Sequence, residues 1–389
     1  MMTSLAPLQA RPASATPAKI RVMVVDDSAV VRGLVSRWVD EDPGMETIGR
    51  FANGQLALDG IAGCAPDVVV LDIEMPVMDG MTALPELLKL KPGVKIIMSS
   101  TLTRKNAEIS MKALSLGATD YIPKPESNRG VTTSVDFRTA LLDKIKALVP
   151  RKAARAPVAP NSVSATRQPV EAGAPGVSPA APAGESPALR TFSRIKPRIL
   201  AIGSSTGGPQ ALARVIEDVA SATADIPVVI TQHMPPTFTA ILAEHLARSA
   251  GRTAKEGTDG EKIIPGTIYV APGGLHMTVI EKDGAPALSV YDGPMVNFCK
   301  PAVDPMFEGV VKVYGPAVLA LVLTGMGHDG AKGAVQIADT GGAVIAQDEA
   351  TSVVWGMPGA AVVAGACAAI LPLDEIGRKI SDVLRGVVS

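Results

Sequence analysis

The pentapeptide at residues 203–207, G-S-S-T-G, has the composition of a turn that presents a nucleophilic serine. It fits the pattern G-x-S-x-G with Ser205 at the centre, and it lies between a predicted strand, 198–202, and a predicted helix, 210–219. The pattern requires this strand–turn–helix context, because glycines allow the sharp turn and a helix N-terminus supplies partial positive charge. Ser205 is therefore a candidate nucleophile. A turn of this composition could also bind a phosphate group or simply reverse the chain.

A nucleophilic serine needs a general base, and the chain has four histidines to choose from. His233 follows a short predicted strand, so in a parallel sheet its ring lies at the same edge as Ser205. His245 lies in a predicted helix among charged neighbours, which indicates a solvated face. His276 lies beside a turn, where it could line a substrate cleft. His328 directly precedes an aspartate, and adjacent residues rarely face one another. We therefore expect His233 to be the base.

An orienting carboxylate is expected at the end of another strand of the same sheet. The strongly apolar stretch 318–323 predicts such a strand, and the Gly-rich turn after it contains Asp329. From there the carboxylate could hold the tautomer of His233, although aspartate beside glycine is also common in turns. The resulting chain order, Ser, His, Asp, differs from the Ser, Asp, His order of α/β-hydrolases, so the motif does not place the chain in that fold.

A second group of reactive side chains lies nearer the N-terminus. Five polar side chains stand at or just after the ends of four predicted strands: Asp26, Asp27, Asp72, Ser99 and Lys124. Carboxylates gathered at one edge repel each other unless a hard divalent cation such as Mg²⁺ lies among them. With a hydroxyl and an ammonium group beside them, they suit a phosphoryl group on a carboxylate nucleophile. The alternative is that Asp26 and Asp27 only cap the following helix.

The elements that must position this second group alternate between strand and helix. Apolar runs predict five strands, at 20–26, 47–51, 67–71, 95–99 and 120–122. Helical periodicity predicts a helix after each of them, at 28–40, 55–61, 82–90, 107–116 and 135–148. This alternation is typical of a parallel sheet covered by helices on both faces, in which ligands bind at the carboxyl ends of the strands.

An abrupt change in composition divides the chain. Residues 151–190 include seven Pro and eleven Ala and no aromatic residue, so this segment cannot bury enough apolar area to offset its ordering entropy. We therefore predict four parts: a disordered N-terminal extension at 1–18, a first domain at 19–150, a flexible Pro/Ala-rich linker at 151–193 and a second domain at 194–389.

Composition excludes several classes of function. The 37 Lys and Arg against 38 Asp and Glu give a net charge of −1, so no global basic field favours nucleic acid or an anionic membrane. The three cysteines lie far apart, which gives neither a metal-ligand spacing nor a disulfide framework. With no secretory signal at the N-terminus, this predicts a cytoplasmic location. The uncharged stretch 353–373 is long enough to span a membrane, but its glycines and prolines favour a turn, a short helix and a strand.

The first domain resembles the receiver domains of two-component response regulators. The matching runs are V-V-D-D-S at 24–28, L-D-I-E-M-P-V-M-D-G at 71–80 and K-P at 124–125. The resemblance implies that Asp72 is the phospho-acceptor and that it binds Mg²⁺ directly, as does Asp27. Asp26 would act through water, and the Glu74 backbone carbonyl would complete the metal site. Three further side chains have implied roles, two as phosphoryl contacts and one as a rotating aromatic switch: Ser99 and Lys124, and Tyr121.

The second domain resembles the catalytic domain of the bacterial chemotaxis protein-glutamate methylesterase/glutaminase family (CheB-type). Five runs carry the resemblance: I-G-S-S-T-G-G-P at 202–209, Q-H-M-P at 232–235, A-P-G-G at 271–274, L-T-G-M-G-H-D-G at 323–330 and G-M-P-G at 356–359. By resemblance, Ser205 is the nucleophile, His233 the base and Asp329 its orienting residue. Thr206 lies beside the nucleophile, and the backbone N–H groups of Met326 and His233 are the implied oxyanion donors.

This chain departs from the family pattern at two places. Many members have a small or amide residue where this chain has His328, and a more basic run where it has N-F-C-K-P at 297–301. Both departures bear on the expected substrate contacts and leave the proposed triad unchanged.

We therefore expect an α/β protein with an N-terminal flavodoxin-like receiver domain on a five-stranded parallel sheet and a C-terminal doubly wound α/β methylesterase domain. The resemblance implies phosphorylation-activated hydrolysis of glutamate γ-methyl esters, and deamidation of particular glutamines, on the cytoplasmic helices of chemoreceptors for chemotactic adaptation. The implied partners are methylated chemoreceptors and a chemotaxis histidine kinase as phosphodonor, without nucleic acid or direct membrane insertion. Mg²⁺ is the implied cofactor of the receiver, and the esterase chemistry needs none.

Two alternatives belong to other functional classes. The first is a non-enzymatic response regulator whose second domain binds DNA or a protein partner, which predicts a basic recognition helix. The second is a general serine esterase, which would turn over small esters rapidly without receptors.

Overall fold

The computed structural model describes residues 18–124, 130–149 and 188–387. The predicted N-terminal extension up to residue 17 and the predicted linker from 151 to 187 lie outside the described residues. The described residues form two parallel sheets flanked by helices, which confirms the predicted fold class.

The first domain is built on one parallel sheet. Its strands are β1 Ile20–Val25, β2 Met45–Phe51, β3 Val68–Asp72, β4 Lys95–Ser100 and β5 Asp120–Pro123. Its helices are α1 Ala29–Glu41, α2 Gly54–Cys64, α3 Gly80–Leu90, α4 Arg104–Ser115 and α5 Gly130–Leu148. The strand order is β2-β1-β3-β4-β5, so the chain reverses its direction of winding beside β1 and the carboxyl ends of β1 and β3 are adjacent.

Local sequence explains where the first helix begins. The Ser28 hydroxyl accepts a hydrogen bond from the Val31 amide and caps α1, as short polar side chains do at helix N-termini. Asp26 instead accepts a hydrogen bond from the Ser28 amide in the turn before the helix. Because Ser28 is the cap, the capping alternative for Asp26 and Asp27 is wrong.

The second domain is built on a seven-stranded sheet. Its strands are β6 Ile199–Ser204, β7 Val228–Gln232, β8 Ala254–Glu256, β9 Ile268–Val270, β12 Val318–Val322, β13 Ala343–Gln347 and β14 Ala369–Leu371. They are parallel and lie in the order β14-β13-β12-β6-β7-β9-β8. A separate antiparallel hairpin consists of β10 His276–Lys282 and β11 Ala285–Tyr291.

Six helices belong to this second domain: α6 Gly208–Val219, α7 Phe238–Ala250, α8 Val303–Tyr314, α9 Ala331–Asp339, α10 Met357–Val363 and α11 Leu373–Leu384. The stretch 353–373 contains α10 and β14, as its glycines and prolines predict. Among the described residues, none of the helices has the length and apolar character to cross a membrane.

The residues that we assigned to the end of the linker contact the second domain. The Arg190 guanidinium donates to the Gly365 carbonyl and pairs with Asp339, at 2.7 Å in each case. Phe192 packs against the apolar core. The chain is therefore attached to the second domain before residue 194.

The two domains contact each other through α4 and β5 of the first and α6 and α7 of the second. The ring of Tyr121 stacks on that of Phe238, with 4.5 Å between centroids and 7° between planes. The side-chain amide of Gln210 donates to the Ala118 carbonyl at 2.9 Å. Buried apolar residues therefore run from one domain into the other.

Candidate functional site

The candidate catalytic site lies at the carboxyl edge of the second sheet. Strand β6 is central there, with β12 on one side and β7 on the other. Each of these strands ends in a loop that carries one of the three predicted residues: Ser205, His233 and Asp329. Because β7 and β12 lie on opposite sides of β6, this is the switch point of the sheet, where open α/β folds bind ligands.

Main-chain contacts hold the turn of Ser205. Its amide donates to the Thr324 carbonyl at 3.0 Å, and the Gln232 side chain donates to its carbonyl at 2.9 Å. Gly207 precedes α6 with φ 75°, a conformation that favours glycine. Gly325 lies so close that a Cβ there would be 2.8 Å from the Ser205 Cβ. The Ser205 side chain is half-buried, and within the described part of the chain its hydroxyl has no hydrogen-bond partner.

The structure brings His233 and Asp329 into direct contact. His233 Nε2 lies 2.8 Å from Asp329 Oδ2, and the carboxylate side chain is 2% exposed. A carboxylate only accepts hydrogen bonds, so Nε2 carries the proton in this pair. The other ring nitrogen, Nδ1, is therefore the one that can accept a proton from a nucleophile.

The N-terminus of α8 and one loop side chain hold Asp329. The Val303 amide donates to Asp329 Oδ2 at 2.5 Å, and the Asp304 amide donates to Oδ1 at 3.2 Å. Asn297 Nδ2 donates to Oδ1 at 2.8 Å and to the Asp304 carboxylate at 2.9 Å. Burial by itself would raise the pKa of the Asp329 carboxyl, but the hydrogen bonds from His233, Val303 and Asn297 lower it. Asp329 is thus kept ionised.

No local signal in the sequence marks Asn297, Val303 or Asp304 as supports of this carboxylate. The departure from the family pattern at 297–301 bears only on the expected substrate contacts. These residues precede Asp329 by 25 to 32 positions, and no periodic pattern links a helix start to a turn at that separation. The tertiary packing of α8 against the end of β12 creates the contact.

The second nitrogen of His233 contacts a thiol. Cys299 Sγ lies 3.4 Å from His233 Nδ1 and 3.4 Å from the Asn297 carbonyl oxygen. Burial lowers the pKa of the imidazole, but hydrogen bonds to Asp329 and Cys299 outweigh it and raise the pKa to about 9. A neutral base is therefore in the minority at neutral pH in this arrangement.

Two of the remaining histidines, His276 and His245, differ from expectation. His276 is buried, with Nε2 2.9 Å from the Pro294 carbonyl and Nδ1 accepting the Ala302 amide at 3.3 Å. It therefore fixes a loop and does not line a cleft. His245 is half-buried in a cavity at the domain contact, so the prediction of a solvated face is wrong. His328 is exposed.

The expected oxyanion donors are only partly available. The His233 amide donates to the Ser204 carbonyl at 3.1 Å, because the ladder between β6 and β7 continues one residue beyond the end of β7. The implied role of this amide as an oxyanion donor is therefore wrong for this structure. Met326 lies in the turn after β12, where, among the described residues, its amide has no hydrogen-bond acceptor. Thr206 is buried, and its carbonyl accepts the Thr324 hydroxyl at 2.9 Å.

The acidic residues of the first domain converge at the adjacent ends of β1 and β3. Potential ligand atoms of Asp26, Asp27 and Asp72 lie within 4.8 Å of one another. Lys124 Nζ lies 2.8 Å from carboxylate oxygens of both Asp26 and Asp72. An all-oxygen donor set of this kind fits a hard divalent cation.

Asp26 and Asp72 are both buried in this acidic pocket. Burial and the neighbouring Asp26 raise the pKa of Asp72 to about 6, against the lowering effect of Lys124. Ser99 stands opposite Asp72 in the ladder between β3 and β4 and is buried. The Glu74 side chain is exposed in the loop after β3.

Tyr121 lies away from solvent, under the second domain. Burial raises the pKa of its hydroxyl well above the ordinary value. Its ring is the one that stacks on Phe238 of α7. The structure therefore places the implied aromatic switch at the contact between the domains.

Two known protein families match the two domains. The family described as CheB methylesterase matches residues 200–380, and the family described as Response regulator receiver domain matches residues 22–136.

Similar proteins match both domains together. A protein-glutamate methylesterase/protein-glutamine glutaminase of group 2 operon from Bradyrhizobium diazoefficiens is 53% identical over 375 residues, which cover 94% of each chain. A protein of the same description from Rhodopseudomonas palustris CGA009 is 53% identical over 370 residues, covering 94% of this chain and 95% of that one. A third, from Rhodopseudomonas palustris BisB5, is 54% identical over 94% of each chain. The chain therefore belongs to the protein-glutamate methylesterase/protein-glutamine glutaminase family and carries a response-regulator receiver domain ahead of its CheB methylesterase domain.

Proposed function

We propose that Ser205, His233 and Asp329 form a catalytic triad that hydrolyses γ-methyl esters of glutamate. Ser205 attacks the ester carbonyl while His233 Nδ1 takes its proton, and the Met326 amide and the N-terminus of α6 stabilise the oxyanion. His233 then protonates the leaving methanol. Water, activated by the same nitrogen, releases glutamate and restores Ser205. Deamidation of a glutamine follows the same route, with ammonia as the leaving group.

The observation that carries this proposal is the contact between His233 and Asp329 at 2.8 Å, beside the turn of Ser205. The carboxylate fixes the proton on Nε2 and leaves Nδ1 basic, so the ring nitrogen away from the carboxylate can take the proton of a serine hydroxyl. The half-buried, unpaired Ser205 hydroxyl supports the same assignment. Neither a DNA-binding domain nor a phosphate-binding turn needs a histidine paired with a buried aspartate at this edge.

The substrates that we propose are methylated glutamates on the cytoplasmic helices of chemoreceptors, and a chemotaxis histidine kinase is the proposed phosphodonor. This places the protein in the cytoplasm, without nucleic acid and without insertion into a membrane. The domain boundaries that we propose are those from composition, except that the second domain begins by Arg190, which bonds to it. A flexible linker joins receiver and esterase.

The proposed phospho-acceptor is Asp72. Asp26, Asp27 and Asp72, with the Glu74 backbone carbonyl, would hold Mg²⁺, and Ser99 and Lys124 would contact the phosphoryl oxygens. The bound ion would neutralise negative charge between the carboxylate and the incoming phosphoryl group. The close approach of three carboxylates supports this assignment.

The unphosphorylated receiver, we propose, obstructs the esterase site. Val353 and Val354 of the second domain pack against the apolar core of the first. A Cβ on Gly207 would lie 2.6 Å from the Val353 Cβ, so this contact reaches within two residues of Ser205. Phosphorylation of Asp72 would act on Tyr121 and, through its stacked partner Phe238, loosen the domain contact.

Methanol release from methylated receptor, with and without phosphodonor, tests the proposal. Ser205→Ala should abolish release while the circular dichroism spectrum persists, and Asp72→Asn should abolish the stimulation by phosphodonor. A fully active Ser205→Ala variant would refute the nucleophile. If phosphodonor stimulated Asp72→Asn as much as the parent, the proposed control of the esterase by phosphorylation would be refuted. Rapid turnover of small esters with no activity on receptors would favour a general esterase.

A further inference from the structure

Cys299 occupies the side of His233 that the proposed mechanism requires Ser205 to reach. Asp329 takes Nε2 of the imidazole, so only Nδ1 remains to accept a proton, and the Cys299 thiol lies 3.4 Å from that nitrogen. The thiol is half-buried and thus within reach of small solutes. Cysteine, histidine and aspartate together form a continuous array of side chains at the site, with ligand atoms within 4.8 Å of one another.

The loop that carries Cys299 is held rigidly. The amides and carbonyls of Val296 and Cys299 exchange two hydrogen bonds, at 3.1 and 2.9 Å. Between them Asn297 and Phe298 have φ angles of 51° and 63°, which cost energy for residues other than glycine. The Asn297 side chain anchors the turn to Asp329 at 2.8 Å. The position of the thiol on His233 is therefore built into the loop.

The other two cysteines have different surroundings. Cys64 is in the receiver and donates to the Ile48 carbonyl at 3.3 Å, with no imidazole partner among the described residues. Cys367 is buried, and burial raises the pKa of its thiol to about 12. Reactive cysteines are partly exposed thiols beside a group that takes their proton. Of the three, Cys299 alone meets both conditions in the described structure.

We propose that Cys299 is a thiol modification site, through which small disulfides switch the esterase off reversibly; the esterase readout rests on the proposed function. With the Cys299 proton held on His233 Nδ1, the thiolate attacks one sulfur of the disulfide. A new S–S bond forms at Cys299 as the old one breaks, and the leaving thiolate takes up a proton. Cys299 is thereby oxidised and half of the small disulfide is reduced to a thiol.

The modification would stop catalysis for a steric reason. The attached group begins at a sulfur atom 3.4 Å from His233 Nδ1. It therefore fills the space beside Nδ1 that the serine hydroxyl must enter in the proposed mechanism, and the base cannot accept the serine proton. Reduction by an external thiol removes the group and restores the site.

The test uses the full-length protein and glutathione disulfide as the probe. Esterase activity is measured as methanol release from methylated receptor before treatment, after treatment and after dithiothreitol, while mass spectrometry locates the adduct. We expect an adduct on Cys299 and a loss of activity of about 100-fold or more, as when a general base cannot act. Dithiothreitol should reverse both.

Three variants complete the experiment. Cys64→Ser should lose activity on treatment as the parent does. Cys299→Ala and Cys299→Ser, each compared with its own untreated sample, should keep their activity. An equal loss of activity in both Cys299 variants, or an adduct on Cys64 with none on Cys299, would overturn the proposal.

Labelling alone separates this inference from the proposed function. His233→Gln should slow the formation of the Cys299 adduct, because no imidazole takes the thiol proton, and this readout needs no esterase activity. Unchanged labelling in that variant would refute the role of His233 in activating the thiol. A protein that releases no methanol before treatment, yet is labelled at Cys299 in a His233-dependent manner, would refute the esterase proposal and leave the thiol chemistry standing.

Discussion

At the scale of single residues, the two nitrogens of His233 have different partners. Nε2 faces a buried carboxylate at 2.8 Å and Nδ1 faces a thiol at 3.4 Å. The carboxylate fixes the tautomer and favours the protonated ring, and the thiol competes for the nitrogen that does the chemistry. In the proposed mechanism, activity therefore depends on both neighbours of the imidazole as well as on Ser205.

Asp329→Asn should lower kcat for methanol release by about 10³- to 10⁴-fold, because an amide can donate to Nε2 and reverse the tautomer that the base needs. Asp339→Asn is the matched control, since this carboxylate lies at the surface and pairs only with Arg190 in the described structure. A loss of less than tenfold in Asp329→Asn, with the fold intact, would show that the carboxylate is not the orienting group.

The rate should rise with pH until about 9, since the pKa of His233 is raised to about 9 and only the neutral imidazole accepts a proton. In Cys299→Ala one hydrogen bond that raises this pKa is absent, so the rising limb should move to lower pH, with Cys64→Ser as the unshifted control. A pH profile of kcat measures this. A rising limb centred at pH 6.5, the ordinary pKa of histidine, in the parent protein would contradict the geometry around Nδ1.

At the scale of elements, α8 supports the site. Its first amides bind Asp329, so the partial positive charge of the helix N-terminus falls on the carboxylate of the proposed triad. Its first turn also contacts the hairpin strand β10, where the Thr278 hydroxyl donates to the Pro305 carbonyl at 2.8 Å. The position of Asp329 thus depends on the contact between α8 and the hairpin.

Gly309→Ala should destabilise the second domain by about 1–3 kcal/mol, the usual effect of forcing extra volume into a packed interface. A Cβ at Gly309 would lie 1.9 Å from the Thr278 hydroxyl and 2.7 Å from the backbone of Val279, so α8 must move. Gly33→Ala in α1 is the control, because a Cβ there meets nothing within 4 Å. Urea unfolding compares the two, and a second domain as stable in Gly309→Ala as in the parent would contradict the packing described.

At the scale of the whole molecule, the domain contact combines favourable side-chain contacts with one buried polar atom that has no hydrogen-bond partner in the described structure. Tyr121 stacks on Phe238, and Arg104 Nη2 lies 2.6 Å from Glu244 Oε1. Gln210 donates to the receiver, but its side-chain oxygen is buried with no partner in the described structure. An unpaired buried oxygen costs about 1–3 kcal/mol, which favours separation. Such a balance suits an interface that a covalent change can open.

Arg104→Glu and Glu244→Arg should each raise the esterase activity of the unphosphorylated protein, because each places like charges across the domain contact. The double variant restores an opposite pair and should return the activity toward that of the parent. Methanol release without phosphodonor is the measurement. If neither single variant changed the activity measured without phosphodonor, this contact would not restrain the esterase.

The sequence by itself determined the elements and the three loops that carry the triad. The sequence predicts where the strands end, because the apolar runs stop at the loops that contain Ser205, His233 and Asp329. Parallel strands then bring their carboxyl ends to one edge of the sheet. The alternation of the first domain likewise predicted its five parallel strands and the acidic pocket at their ends. The resemblance of the motifs to known families supplied the expected chemistry, which the periodicity of apolar residues does not encode.

Only the tertiary structure decided what surrounds His233. The Cys299 thiol, Asn297 and the α8 amides reach the site from segments with no fixed spacing to it in sequence, and the His233 amide is engaged by β6. Local patterns record which face of an element is buried, but not which distant loop covers it. That choice is made by packing of the whole domain, where contacts between residues far apart in the chain compete for the same space.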